Sequence, residues 1–269
     1  MSINMNINMI KRRYNNLESL KIMGRASTTA LGPHIDVLLW NVFKCKKKGW
    51  QDDFIALTSD KDLVLLQEAI VNCPFDRFFK KSTQHQWIMA RSFRNIKTNI
   101  ETGVKTGSTV SAKKHYYAAS QHQEPLSQTK KMLLATVYPM QTFDHRVEQS
   151  LLVVNTHLIN FVAFNKFCAH LDQVFQALEH HDGPILLAGD FNTWNSKRLN
   201  YFQKMATTFS LNEVKMVRQP RFNHLLRHLD HIYCRGLTIV DSQVHTHIHS
   251  SDHYPISLSL STLTPAVIK

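Results

Sequence analysis

The chain has 269 residues, 43% of them hydrophobic, with only eight glycines and eight prolines. That is enough apolar material for a substantial core, and too little linker chemistry to divide the chain into separate domains. Its formal charge of +12 points to polyanionic company, whether nucleic acid, phosphorylated small molecules or anionic lipid, without choosing among them.

Residues 1–32 are polar, contain Lys11-Arg12-Arg13 and lack hydrophobic periodicity, so they read as an N-terminal tail. One domain is expected over 33–262, followed by a short tail at 263–269. The fold begins with an apolar strand over 35–41 that ends in Asn41. A basic loop with Lys44 and Lys46 to Lys48 follows, then a short amphipathic helix through Trp50, Phe54, Ile55 and Leu57. Residues 62–68 repeat the first pattern, a buried strand ending in Glu68. A short helix is predicted over 73–81, strands over 86–90 and 103–112, and a long irregular loop over 113–128. Paired strands are predicted over 131–140 and 148–156, the second running out at His157.

The strongest helical signal spans 161–181, where Phe164, Phe167, Cys168, Leu171, Val174, Phe175 and Leu178 step by threes and fours. Gly183-Pro184 ends it. Ile185 to Ala188 then form an unbroken apolar run, the mark of a strand buried on both faces, that stops at Gly189-Asp190-Phe191-Asn192. Ser196 is the predicted cap of a helix reaching about Thr207. Strands over 228–234, 237–247 and 254–261 close the chain. Nowhere do about 18 apolar residues run together, and the start has no secretory pattern. Cys45, Cys73, Cys168 and Cys234 form no C-x-x-C pair, so reduced thiols in a cytoplasmic protein are expected rather than a disulfide framework or a thiolate zinc site.

Set side by side, the strand ends carry Asn41, Glu68, His157, Asp190 with Asn192, Asp230, and Asp252-His253. Turn chemistry explains a polar residue at any one strand end. It does not explain carboxylates, amides and imidazoles recurring on separate strands. Converging carboxylates repel unless a cation sits among them, and hard oxygen donors favour Mg2+ or Mn2+ bound together with water and substrate phosphate.

The ordered set Trp40-Asn41, Gln67-Glu68, Asn155-Thr156-His157, Gly189-Asp190-Phe191-Asn192, Leu229-Asp230-His231-Ile232-Tyr233 and Ser251-Asp252-His253 resembles the endonuclease/exonuclease/phosphatase superfamily, of deoxyribonuclease I-like fold. The likeness covers about residues 35 to 261. Gly103-Val104-Lys105-Thr106, Glu124-Pro125 and His157-Leu158-Ile159-Asn160 look most like a little-characterised bacterial branch of it. The resemblance implies an α+β fold, two mixed β-sheets packed face to face with helices on both outer faces, a four-layer αββα sandwich. It also implies roles. Glu68 would be the main ligand of a magnesium or manganese ion, with Asn41 and Asp252 close to the same ion. Asp190 would orient or deprotonate the attacking water, and Asn192 would hold a phosphate oxygen. His253, aligned by Asp230, would stabilise the phosphate or donate a proton; His157 would stand beside the scissile phosphate, and Asn160 would add a contact.

The expected function is therefore metal-dependent hydrolysis of a phosphodiester, with DNA or RNA as substrate and the protein a monomer. A phosphatase or phospholipase on phosphoinositide or sphingomyelin-like substrates is the alternative enzyme, although Leu229 to Tyr233 lacks the Trp-Cys-Asp-Arg pattern of the inositol branch. A catalytically silent nucleic-acid-binding module is the alternative of another class. His245, His247 and His249 alternate and are expected as an exposed row on one face of a strand. His224 and His228 stand at i, i+4 without the glutamate of a metalloprotease helix. The lysine runs 46–48, 113–114 and 130–131 read as solvated charge, the first well placed to steer a polyanion. Trp194, Tyr116 and Tyr117 are candidates for base stacking, with core or rim packing as the default.

Overall fold

The computed structural model describes residues 11–13, 19–71, 76–82, 84–141, 149–216 and 229–262. Its strands and helices, in chain order, are β1 (Lys11–Arg13), β2 (Leu20–Gly24), β3 (His34–Asn41), α1 (Trp50–Thr58), β4 (Leu63–Val71), α2 (Asp76–Lys81), β5 (Gln86–Asn95), β6 (Glu101–Ser108) and β7 (Lys114–Ala119). They continue with β8 (Met132–Met140), β9 (Gln149–His157), α3 (Phe164–Gln176), β10 (Ile185–Asp190), α4 (Ser196–Thr208), β11 (Asn212–Glu213), β12 (Asp230–Arg235), β13 (Thr238–Val244) and β14 (Ile256–Ser261).

Two sheets form. One runs β1-β5-β6-β4-β3-β14-β13 with β2 added on β5, the other β11-β12-β10-β9-β8-β7. β3 and β4 pair in parallel, as do β9 and β10, while their outer neighbours are antiparallel. Strand alternation builds the layers. Ile35, Val37 and Leu39 of β3 face Leu151 and Val153 of β9 and Leu186 and Ala188 of β10 in a core between the sheets. The residues between them, Leu38 and Trp40, turn outward onto Trp50 and Phe54 of α1 and Phe79 of α2. On the other side Leu152, Val154, Ile185 and Leu187 meet Phe167, Leu171, Val174 and Phe175 of α3 and Phe202 of α4. The expected αββα sandwich is what the chain forms. Its central strands are covered on both faces, which is why they read as unbroken apolar runs.

Several local expectations are corrected. Part of the segment read as a tail is built into the fold: β2 pairs with β5, and Leu31, 1% exposed, lies in the core between the sheets. Only Met23 of β2 is fully buried, so the sequence there carries little apolar signal. The expected 113–128 loop contains β7, a partly exposed edge strand paired with β8. β13 stops at Val244, so His245, His247 and His249 follow it in a turn rather than sharing a strand face. The His245 ring is hydrogen-bonded to the Ser257 hydroxyl at 2.6 Å. Asn195, not Ser196, caps α4, its side chain accepting from the Arg198 N–H. Cys73, His224, His228 and the 263–269 tail lie outside the described residues.

Candidate active site

The carboxyl ends of the two parallel strand pairs meet across the sandwich. Asp190 ends β10 with His157 in register on one neighbour and Asp230 on the other. From the opposite sheet Asn41 Nδ2 donates to Asp190 Oδ2 at 3.0 Å. Gly189 lets β10 lie close against β9 just before the site, because a Cβ there would lie 2.0 Å from the Thr156 carbonyl oxygen. The alignment of the sheets is set by a buried amide pair just behind the site. Gln67 Nε2 donates to Asn155 Oδ1 at 2.7 Å, and Asn155 Nδ2 donates to the Lys105 carbonyl at 3.0 Å. Gln67 and Asn155 are both fully buried. The loop carrying His253 is tied to β3 by Trp40 Nε1, which donates to the His253 carbonyl at 3.1 Å, and by the Ser251 hydroxyl on the Asn41 carbonyl.

Two site residues hold left-handed backbone: Glu68, φ +50°, and Asn192, φ +51°. Glu68 sits where the pairing of β4 with β6 shifts register. Such a conformation costs a non-glycine residue about 1–2 kcal/mol and is found where the surroundings enforce it.

Around Asp190 the distances are short. Its Oδ2 is 3.4 Å from His157 Nε2 and 3.8 Å from His253 Nε2, and its Oδ1 accepts the Asn192 N–H at 3.1 Å. His253 Nδ1 is bonded to Asp230 Oδ2 at 2.6 Å. Burial works against a charged His253 ring, but the charge and hydrogen bond of Asp230, with Asp190 and Asp252 behind it, prevail and raise its pKa to about 10. Burial pushes the Asp190 carboxyl up to about 7, against the pull of His253. Burial, reinforced by Lys131, His253 and Lys44, holds His157 well below the usual imidazole range and therefore neutral. A carboxylate able to exchange a proton near neutrality thus stands between a charged and a neutral imidazole, an arrangement suited to general acid–base work.

The other expected residues fall around this cluster at different distances. Asn192 is anchored through Nδ2 to the Leu158 carbonyl at 2.9 Å, and its own carbonyl accepts from Arg198 at 3.1 Å. Asn160 Oδ1 accepts from Trp194 Nε1 at 2.9 Å, and its N–H donates to Glu124. Asp252 is exposed and accepts from the Ser251 hydroxyl at 3.3 Å. No hydrogen bond among the described residues joins it to Glu68 or Asn41.

Glu68 and His157 line one cavity. Glu68 Oε2 is 2.6 Å from Lys44 Nζ, and its Oε1 is 3.9 Å from Lys131 Nζ. Burial opposes its ionisation, but Lys131 and Lys44 outweigh that and lower its pKa. Lys131 also lies 3.5 Å from Glu124 Oε1. Its side chain is only 16% exposed, so this half of the 130–131 run is not the solvated charge expected. Lys44, Glu68, His157, Ser127, Thr129 and Lys131 line a cavity of about 140 Å³.

Two places bear on the metal ion that the motif set implies. Oxygen and nitrogen atoms of Asp190, Asp230 and His253 lie within 4.8 Å of one another. There, however, His253 Nδ1 is already bonded to the Asp230 carboxylate at 2.6 Å, and Asp190 Oδ2 already accepts from the Asn41 amide at 3.0 Å. The Glu68 position fits better. It offers a charged oxygen on a constrained backbone, an amide oxygen follows from Asn41 on the adjacent strand, and two ammonium groups have gathered on it, so a cation is what this position accepts.

Sequence reasoning missed Lys44 and Lys131 as site members, the Gln67–Asn155 pair as an alignment device, and Arg198. Arg198 is 2% exposed and ties the Asn192 and Val162 carbonyls together. The one available signal was an arginine on the apolar face of a predicted helix.

Known proteins share this fold. The model of the endonuclease/exonuclease/phosphatase family matches residues 38–253. A UPF0294 protein of Erwinia tasmaniensis is 31% identical over 234 residues, spanning 87% of this chain and 83% of that protein. An endonuclease/exonuclease/phosphatase structure from Beutenbergia cavernae superposes with a TM-score of 0.65 at 15% identity, over 85% of this chain and 71% of that one. The human Nocturnin catalytic domain, solved with a bound sulfate anion, gives 0.58 at 16% identity, over 90% of this chain and 97% of that one.

Proposed function

Because the chain belongs to the endonuclease/exonuclease/phosphatase family, we propose that it is a divalent-metal-dependent phosphodiesterase, a nuclease acting on DNA or RNA as a cytoplasmic monomer. The observation that carries the reading is the meeting of Asn41, His157, Asp190, Asp230 and His253 across two sheets, in contacts of 2.6 to 3.8 Å. The net charge of +12 favours a polyanionic substrate. No helix among the described residues is long and apolar enough to cross a membrane.

In this reading Asp190 orients the attacking water and takes its proton. His253, charged and held by Asp230, offers its Nε2–H to a phosphate oxygen. His157 and Asn192 hydrogen-bond the same group, and Asn160 adds a contact. Glu68 would hold the magnesium or manganese ion, with Asn41 and Asp252 near it. The ion would supply charge to offset the anionic transition state.

The small cavity beside Glu68 and His157 favours a second reading, phosphatase action on a phosphomonoester. Purified protein is to be assayed on plasmid DNA, single-stranded RNA, bis-p-nitrophenyl phosphate and a phosphomonoester panel that includes inositol phosphates, with Mg2+, Mn2+ or EDTA. Turnover of the diesters only with metal is expected. Turnover confined to monoesters selects the second reading. Tight nucleic-acid binding without hydrolysis of any substrate leaves a binding module and overturns both.

A further inference from the structure

The cation position on Glu68 is filled by the chain itself. Lys44 Nζ lies 2.6 Å from Glu68 Oε2, delivered by an unusual turn: Phe43, Lys44 and Cys45 have φ of +47°, +55° and +55°. Three successive non-glycine residues in left-handed backbone are costly and persist only when contacts impose them. A solvated lysine needs no such turn. The contact at the turn's entry is equally telling. The Phe43 N–H donates to Asn41 Oδ1 at 3.1 Å, while the turn closes on itself through the Cys45 N–H to the Val42 carbonyl at 2.7 Å. Thus the turn engages two of the oxygen-bearing groups named above for the ion, the Glu68 carboxylate through Lys44 and the Asn41 amide oxygen through Phe43.

We propose that the 43–45 turn is a built-in plug of the metal site, with Lys44 as its counter-cation, so that docking of the turn and binding of a divalent ion at Glu68 exclude one another. The inference rests on the metal reading given under Proposed function and deepens it. Nothing is consumed in the exchange: one cation leaves the carboxylate as another arrives. Lys131, 3.9 Å away on the other carboxylate oxygen, makes no hydrogen bond to it and is not displaced in the same way. The released Lys44 ammonium stays at the cavity it already lines with Lys131 and His157, where an anionic substrate would meet it. Metal loading thereby turns a cation spent on Glu68 into one available for phosphate.

The test is Mn2+ binding to the full chain without substrate, followed by electron paramagnetic resonance, for wild type, Lys44→Gln and Lys46→Gln. Losing a charge-assisted contact that competes with the ion is expected to tighten Mn2+ binding by about tenfold in Lys44→Gln. Lys46→Gln, which removes the same charge two residues on, is expected to change it by less than about twofold. A second readout is hydrogen exchange at the Phe43 amide, expected to lose protection when Mn2+ saturates wild type. Equal affinities in wild type and Lys44→Gln, or equal tightening in both variants, overturn the plug and leave the metal reading standing. Failure of every protein to bind Mn2+ overturns both. Should Lys44→Gln not fold, Lys44→Gly, which relaxes the left-handed backbone, takes its place with the same expectations.

Discussion

Asp230→Asn tests the proposed proton machinery most sharply, because the perturbation is small and its consequence directional. Asp230 Oδ2 lies 2.6 Å from His253 Nδ1, and its charge and hydrogen bond are the leading forces that hold the ring protonated to about 10 against burial. An opposite charge at such a distance moves a pKa by roughly 1–3 units, each unit being about 1.4 kcal/mol. Asparagine keeps the volume and one oxygen but removes the charge. The folded-state pKa of His253 is therefore expected to fall by that amount, since Asp190 at 3.8 Å still favours the charged ring. If His253 must be protonated to act, turnover in wild type declines only as pH rises through about 10. In the variant the decline begins one to three pH units lower, so at pH 9 the rate falls by about twofold for a one-unit shift, about tenfold for two and about a hundredfold for three, while substrate binding is largely retained. The assay is the pH profile of kcat with a chromogenic phosphodiester, beside an NMR titration of the ring. An alkaline limb that does not move, or a ring that still titrates near 10, refutes the assignment.

Three further outcomes are expected. Asp190→Asn should lower kcat by about 10²–10⁴-fold and abolish the acidic limb, which in wild type rises with pH through about 7 as the carboxyl loses its proton; steady-state kinetics across pH 5–9 check both. Asn155→Leu strands the buried Gln67 amide whose Nε2 it accepts from, so urea unfolding should show a loss of about 1–3 kcal/mol. Turnover should fall as well, because that pair aligns the strand ends. Gly189→Ala places a Cβ 2.0 Å from the Thr156 oxygen, which either prises β10 from β9 or prevents folding; a thermal melt should show a drop of several degrees, and activity should fall more than in Gly32→Ala, where a Cβ meets nothing nearer than the His34 carbonyl oxygen at 3.6 Å.

Much of the site was legible because β3, β4, β9 and β10 are covered on both faces. A continuous apolar run makes its terminus conspicuous, and Asn41, Glu68, His157 and Asp190 stand at or beside those termini. Lys44 and Lys131 were hidden for the opposite reason. Lysines in basic runs look like solvated charge, and only the fold shows that both converge on Glu68. β2 and β7 escaped because half-exposed edge strands bury too few residues to leave a period of two. The His245-His247-His249 alternation imitates a strand face, but pairing with β14 ends at Val244 opposite Ile256, and alternation alone does not reveal where a partner stops. Asp252 was grouped with its neighbour His253 by motif. Adjacent residues need not share a direction: Asp252 is exposed, while only 11% of the His253 side chain is.

The claim on which the rest depends is that a divalent ion works from Glu68. The most direct measurement is the Mg2+ dependence of phosphodiester turnover in wild type and Glu68→Ala at matched protein concentration. The account expects the half-saturating Mg2+ concentration to rise by at least about tenfold in the variant, with turnover at limiting Mg2+ close to the EDTA blank. Wild-type turnover by Glu68→Ala at limiting Mg2+ would contradict it.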